Sequence, residues 1–165
     1  MKQAVHCRVR LPVPVAEAWE VVTDPFRWPG WMVGVTGVRG EAPDQGQPAP
    51  RHHFLVEGRL GLWPFKARAE VTTAWQGTMI AFTGDCQGIG YLFTLTLGEQ
   101  AGEATSVQWD VELRPASDRR SPFEALRLTF IRRAANSLAR RSLANLGNAM
   151  QRTAGQRQEI IGGSE

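Results

Sequence analysis

The sequence predicts an α+β fold: a curved antiparallel sheet of about seven strands wrapped around a long C-terminal helix, with a pair of short helices after the first strand. Three observations predict it. Strand-like stretches with short glycine-rich connections fill the middle of the chain. A proline- and tryptophan-marked segment interrupts them near the start. A capped amphipathic segment, running from about Ser121 to Gly155, closes the chain. A helix of roughly 30 residues is about 45 Å long at ~1.5 Å per residue. That is too long for an ordinary packed helix in a chain of 165 residues unless something large wraps it. A sheet folded over a helix supplies the wrapper and leaves room for a cavity.

Each element has its own signal. Val5, Cys7, Val9 and Leu11 alternate with His6, Arg8 and Arg10, the pattern of a half-buried strand. Pro12-Val13-Pro14 stops it. Val15 to Thr23 reads as a short helix with Val15, Trp19 and Val22 on one face, and Asp24-Pro25 ends it, because a residue before proline avoids the helical region. Phe26 to Trp31 reads as a second short helix, broken by Pro29-Gly30. Val33 to Gly40 is strand-like, and the polar stretch Glu41 to Pro50 is a loop. Strands are then expected at His52–Leu60, Phe65–Trp75, Thr78–Thr83, Gly90–Leu97 and Thr105–Arg114. In the last, Val107, Trp109, Val111 and Leu113 share one face, and Gln108, Asp110, Glu112 and Arg114 the other. The connections Gly61–Pro64, Gln76-Gly77, Gly84–Gly88 and Gly98–Glu103 suit antiparallel hairpins. Ser121-Pro122 with Glu124 marks the start of the closing helix. No proline follows, and Phe123, Leu126, Phe130, Ala134 and Leu138 form one apolar stripe.

Composition narrows the classes. A single domain spanning 1–165, ordered over about residues 4–155, is expected, long enough to bury a core without metal or disulfide help. Hydrophobic content of 42% with six tryptophans indicates an ordered globule. The net charge is only +3, and arginine replaces lysine almost throughout, with Lys2 and Lys66 the exceptions; no nucleic-acid partner is implied. Cys7 and Cys86 have no metal-ligand spacing, and no disulfide between them is expected. No apolar run reaches the ~18 residues of a membrane span, and the N-terminus enters a strand pattern directly, so a cytoplasmic protein without stable membrane insertion is expected.

The element order, together with Val13-Pro14, Trp19, Thr23-Asp24-Pro25, Trp28-Pro29 and Trp31-Met32, resembles the helix-grip fold of the START-related, pollen-allergen-like superfamily, also called SRPBCC. Within it, the opening segment is similar to the polyketide cyclase/dehydrase and lipid-transport branch. The resemblance covers about residues 4 to 150. It implies the fold, and it implies a range of roles: lipid and sterol carriers, hormone binders, coenzyme Q-binding proteins and polyketide aromatase/cyclases. Fold alone does not choose among them. No catalytic residue of the family maps onto a position here.

The polar residues offer no catalytic constellation. His52 and His53 are adjacent in a strand and point to opposite faces, which does not suit chelation. His6 lies on a polar face. Asp110 and Glu112 lie on the face opposite Trp109 and pair with surface arginines. Asp85 sits in a glycine-rich turn. Gly88-Ile89-Gly90 is a hairpin element, not a phosphate loop, since no helix follows it. Ser106 and Ser121 lack a nucleophile-elbow context.

The apolar interior is the informative group. Trp19, Trp28, Trp31, Phe54, Val56, Tyr91, Phe93, Leu95, Trp109, Phe123, Leu126 and Phe130 are expected to point inward. For any single one, packing is the simpler account; the functional expectation rests on the group. Tyr91, the only tyrosine, is an amphipathic handle for a ligand's polar end. Arg127 and Arg141 fall within the apolar arc of the closing helix, where each either snorkels outward or holds a carboxylate or carbonyl. Arg132, Arg133 and Arg140 lie off it. Leu60-Gly61-Leu62-Trp63-Pro64-Phe65 is an unusually apolar hairpin tip, open to four readings: a gate, a membrane contact, an oligomer contact, or a fold-back onto the core.

These readings converge on a carrier that binds a small hydrophobic or amphipathic ligand, lipid-, sterol- or polyketide-like, between the sheet and the closing helix. Tyr91, Phe93, Trp109, Leu126, Arg127, Phe130, Trp31 and Phe54 are the expected ligand-binding residues, with no metal and no cofactor. The first alternative is an aromatase/cyclase-type enzyme using Tyr91, Arg127 and His52 for acid–base work. The second is a protein-interaction or chaperone-like module drawing on the apolar tip and the basic helix.

Overall fold

A computed structural model describes the backbone of residues 3–40, 48–115 and 122–162, and side chains within 5–40, 48–114 and 129–152. The elements run β1 (Gln3–Leu11), α1 (Val15–Thr23), a 3₁₀ helix (Pro25–Gly30), β2 (Val35–Gly40), β3 (His53–Leu60), β4 (Trp63–Trp75), β5 (Met79–Cys86), β6 (Ile89–Gln100), β7 (Ala104–Pro115) and α2 (Pro122–Gly162). The strands form one 7-stranded sheet in the order β1-β7-β6-β5-β4-β3-β2. All its pairs are antiparallel. The chain has the helix-grip fold.

The sheet curves where its inward face is small. Gly58 pairs with Phe65, and Gly84 pairs with Tyr91. A Cβ on Gly58 would collide with the Phe65 ring and with the carbonyl of Gly34, and one on Gly84 would lie 2.6 Å from Tyr91 Oη and collide with the carbonyl of Arg68. Each aromatic ring therefore lies flat over its partner strand, a cross-strand glycine–aromatic pairing that bends a sheet. Ala67 and Ala69 keep the same face shallow along β4.

The segment after β1 plugs one side of the grip. Asp24 accepts a hydrogen bond from the backbone N–H of Phe26 at 2.9 Å and caps the 3₁₀ turn, with Pro25 in its first position. Trp28 Nε1 donates to the Val22 carbonyl at 3.0 Å. This fixes the indole, which meets Phe82, Phe54 and Phe93 edge-on at 5.1, 5.6 and 5.9 Å between ring centres. The second short helix is thus tighter, and starts one residue earlier, than the expected Phe26–Trp31: Pro25 and the Asp24 cap set its start. β2 begins at Val35 instead of Val33, because Gly34 sits at φ +88°, a turn conformation.

α2 extends further than expected, 41 residues to Gly162 against an expected end at Gly155. Its contact with the sheet is one-sided. Ala139, Ser142, Leu143, Leu146 and Met150 are buried, and α2 packs chiefly on β1. Ser142 Oγ donates to the Leu138 carbonyl at 2.7 Å and accepts from the Val33 N–H at 2.8 Å, tying the helix to the segment before β2. Nearer its start, Phe130 is 63% exposed. The expected inward Phe130 is corrected in part: its ring sits at the edge of the cavity described below, exposed on its other side. Arg141, like Arg132, Arg133 and Arg140, is exposed, so it snorkels to solvent. The side chains of Phe123, Leu126 and Arg127 lie outside the described residues. Among the described residues, no helix is long and apolar enough to cross a membrane.

Candidate functional site

Where α2 stands off the sheet, a cavity of about 530 Å³ opens. β3 contributes Val56 and Leu60, and β4 contributes Trp63, Pro64, Phe65 and Ala67. The β5–β6 hairpin adds Cys86, Gln87, Ile89, Tyr91 and Phe93, and β7 adds Trp109, Val111 and Leu113. Phe130, Ile131 and Ala134 of α2 form the roof, and Trp28, Met32 and Val35 close one wall. None of these side chains carries a charge. The size and lining suit a small, mostly apolar molecule.

The expected ligand-binding residues separate here. Tyr91, Phe93, Trp109 and Phe130 line the cavity. Trp31 does not; it is 4% exposed and packs behind Trp109, edge to face at 6.1 Å. Phe54 also stands back, in the aromatic cluster around Trp28 and Phe82. The positions of Leu126 and Arg127 lie on α2, but their side chains are outside the described residues. Lining residues that sequence reasoning did not assign to the site include Met32, Ala67, Gln87 and Ile131. A readable signal existed for the free space, if not for every lining residue: Gly58, Ala67, Ala69 and Gly84 place small residues on the inward face of β3 to β5.

The polar atoms of the cavity are few and largely engaged. Tyr91 Oη donates to the Arg68 carbonyl at 2.9 Å, leaving its lone pairs as acceptors. Burial pushes the phenol well above its ordinary range, with Cys86 and Asp85 adding to the shift, so the group is neutral. Gln87 Nε2 donates to the Pro64 carbonyl at 3.3 Å, joining the tips of the β3–β4 and β5–β6 hairpins. Trp109 Nε1 is buried with no acceptor among the described residues, as is Trp31 Nε1. With those rings perpendicular at 89°, an indole edge can rest on its neighbour's π face.

The mouth is apolar as well. Trp63, 71% exposed, faces Phe130 across it, their ring centres 6.3 Å apart. Leu62, at the hairpin tip, is 88% exposed. β4 starts at Trp63, not at Phe65, so the turn itself is only Gly61-Leu62, and the two tip side chains have nothing to fold under.

Other polar groups are placed away from the cavity. His52 Nδ1 accepts from the Ala49 N–H at 3.2 Å, and His53 lies 3.9 Å from Glu70 on the outer face. His6 contacts Asp110 at 2.6 Å. Asp85 belongs to β5 instead of the expected turn, and its carboxylate accepts from the Gly88 N–H at 3.0 Å. Cys7 and Cys86 are not joined in a disulfide. Among the described residues no three histidine, cysteine or carboxylate side chains converge as a metal site. A trough of about 660 Å³ lies on the outer face of the sheet along Arg39, His53, Arg68, Glu70 and Asp85. It is larger than the inner cavity but open, and its charged walls suit water.

Residues 2–151 match the family described as polyketide cyclase / dehydrase and lipid transport. No curated protein matches the chain in sequence. Among solved structures, the chain is similar to a START superfamily protein from Mycobacterium smegmatis, with a TM-score of 0.71 at 11% identity over 90% of this chain and 97% of that one. It is similar to the Zhui aromatase/cyclase from Streptomyces sp. R1128, with a TM-score of 0.64 at 15% identity over 96% of each. It also matches the di-domain ARO/CYC BexL from the BE-7585A biosynthetic pathway, with a TM-score of 0.68 at 15% identity over 90% of this chain and 46% of that one. At such identities the likeness carries the fold alone.

Proposed function

The chain belongs to the polyketide cyclase / dehydrase and lipid transport family, and from that premise we propose that it is a binding or carrier protein for a small hydrophobic or amphipathic ligand. The ligand occupies the cavity under α2, with Tyr91, Phe93, Trp109 and Phe130 among its contacts. The observation that carries this reading is the largely apolar lining, uncharged among the described residues, of a cavity of about 530 Å³. Burying an apolar body there contributes roughly 25 cal/mol per Å², less the cost of association. Tyr91 accepts a hydrogen bond from the ligand's polar end, which favours a hydroxyl over a carboxylate. A charged end stays at the mouth, in water.

A polyketide aromatase/cyclase-type enzyme is the second reading, favoured by the family and by the fold shared with Zhui and BexL. The chemistry of the lining weighs against it. Tyr91 would have to release its bond to Arg68 before acting as an acid, and His52 is not among the lining residues. A general acid–base pair needs groups within reach of the substrate.

The test is titration with an environment-sensitive apolar dye, displaced by a panel of lipids and aromatic polyketides. Ala134→Trp, on the roof, is expected to weaken dye binding at least about tenfold while the circular dichroism spectrum is kept. Equal binding by both proteins would sink the cavity as the site. Turnover of a polyketide in the panel would favour the enzyme.

A further inference from the structure

We infer that the β3–β4 hairpin tip docks this protein, reversibly, onto an anionic lipid bilayer, with Leu62 and Trp63 dipping into the interface and the cavity mouth facing the membrane. The step goes beyond ligand binding and does not depend on it.

Three features of the surface carry the inference. The first is apolar exposure of an unusual kind. Leu62 is 88% exposed, Trp63 71% and Phe130 63%, and the last two touch. Isolated exposed apolar residues are ordinary, but a cluster at the tip of a hairpin is a mark of an interaction site. Tryptophan in particular partitions to the level of lipid headgroups.

The second is the height of the cations. Leu60 pairs with Trp63, Arg59 with Pro64 and Glu57 with Lys66. At ~3.3 Å per residue, Arg59 stands about 3 Å and Lys66 about 10 Å behind the Leu60–Trp63 pair. Interfacial elements bury their apolar side ~5–10 Å deep, so these cations come level with the headgroups when the tip enters. Arg132 and Arg133, both exposed, follow Phe130 on α2. Among the described residues the nearby acids are Glu57 and Asp85. Glu57 is paired with Arg39 and Lys66, and Asp85 accepts from its own turn. Counting Arg59, Lys66, Arg132 and Arg133 against Glu57 and Asp85, the described rim is net positive, the complement of an anionic surface and not of a basic partner.

The third is continuity. Trp63 and Phe130 belong both to the exposed cluster and to the cavity wall. An apolar path thus leads from the tip into the cavity, with no charged side chain among its described walls. A folded partner protein would cover the tip equally well, but only a bilayer also uses an apolar rim that opens into an apolar cavity.

The experiment is co-sedimentation of the full chain with vesicles of phosphatidylcholine alone or mixed with phosphatidylglycerol. The wild type is expected to bind the mixed vesicles, and to release as salt shortens the range of the attraction to ~8 Å and below. Leu62→Ser, at a tip residue that is not part of the cavity wall, is expected to lower the partition coefficient about tenfold while dye binding in solution is kept. Arg59→Gln with Lys66→Gln is expected to weaken binding and flatten its salt dependence. Acyl chains carrying bromine should quench wild-type tryptophan emission and quench Trp63→Phe far less, since Trp75, the other exposed tryptophan, lies at the opposite end of β4. Absence of wild-type binding to anionic vesicles at low salt would overturn the inference. So would equal binding by the serine variant, or self-association through the tip in sedimentation velocity. Loss of dye binding with vesicle binding intact would instead strike the cavity reading alone.

Discussion

Tyr91 shows how a single side chain gains a role from its cross-strand partner. Gly84 opposite it leaves room for the ring, and its hydroxyl donates a hydrogen bond to the carbonyl of Arg68. Because it is the only tyrosine, its ionisation can be read directly from tyrosinate absorbance. Burial raises the native phenol above the ordinary 10.0. As pH rises past that value the unfolded chain loses its proton first and binds fewer protons than the native state, so stability falls with pH. The contribution is whole below pH 10 and is lost as pH climbs toward the native value. Native protein is therefore expected to show less tyrosinate than the urea-unfolded chain at the same pH above 10. In Gly84→Ala the new Cβ would lie 2.6 Å from Tyr91 Oη, and ionisation should move to lower pH. Coincident titration of native and unfolded wild type would refute the buried phenol. The sequence marked Tyr91 as inward and amphipathic. It did not reveal that the hydroxyl's donor is spent, because that depends on which carbonyl a strand register brings beside it.

At the scale of elements, alternation located the strands well, since β6 and β7 are half-buried and read with period two. It erred at the hairpins. The glycine spacing predicts a turn starting at Gly84, yet Gly84 lies inside β5, and the turn shrinks to Gln87-Gly88. α2 was legible as amphipathic, but a stripe of apolar residues does not say how far along the helix the sheet follows it. The burial record answers: Leu146 is 0% exposed and Phe130 63%. Leu146→Ala should therefore cost about 2–5 kcal/mol in denaturant unfolding. Phe130→Ala should cost about 0.5 kcal/mol or less, as surface changes do. A large loss at Phe130 would mean that the start of α2 is clamped to the sheet, and the mouth described above would be closed.

For the molecule as a whole, the cavity sets stability against binding. Interiors are normally packed as densely as organic crystals, and an apolar void forfeits dispersion contacts along its walls. The aromatic cluster centred on Trp28 is filled, whereas the space from Ala67 to Ala134 is not. That space was foreseeable in kind, from a sheet gripping one helix, but not in position: small residues on β3 to β5 and a helix held mainly by β1 decide it. A substitution that fills the space should then act in opposite directions on the two properties. Ala134→Leu, on the cavity roof, is expected to raise Tm, by a few degrees for about 1 kcal/mol gained, and to weaken dye binding. Wild type should recover the difference when ligand is added, because binding to the native state alone contributes about 2.7 kcal/mol at 100 times Kd. Differential scanning calorimetry with and without dye measures both. In a filled core the same added volume would overpack its neighbours and lower Tm. A lower Tm for Ala134→Leu, with unchanged dye binding, would therefore place the free volume elsewhere in the protein.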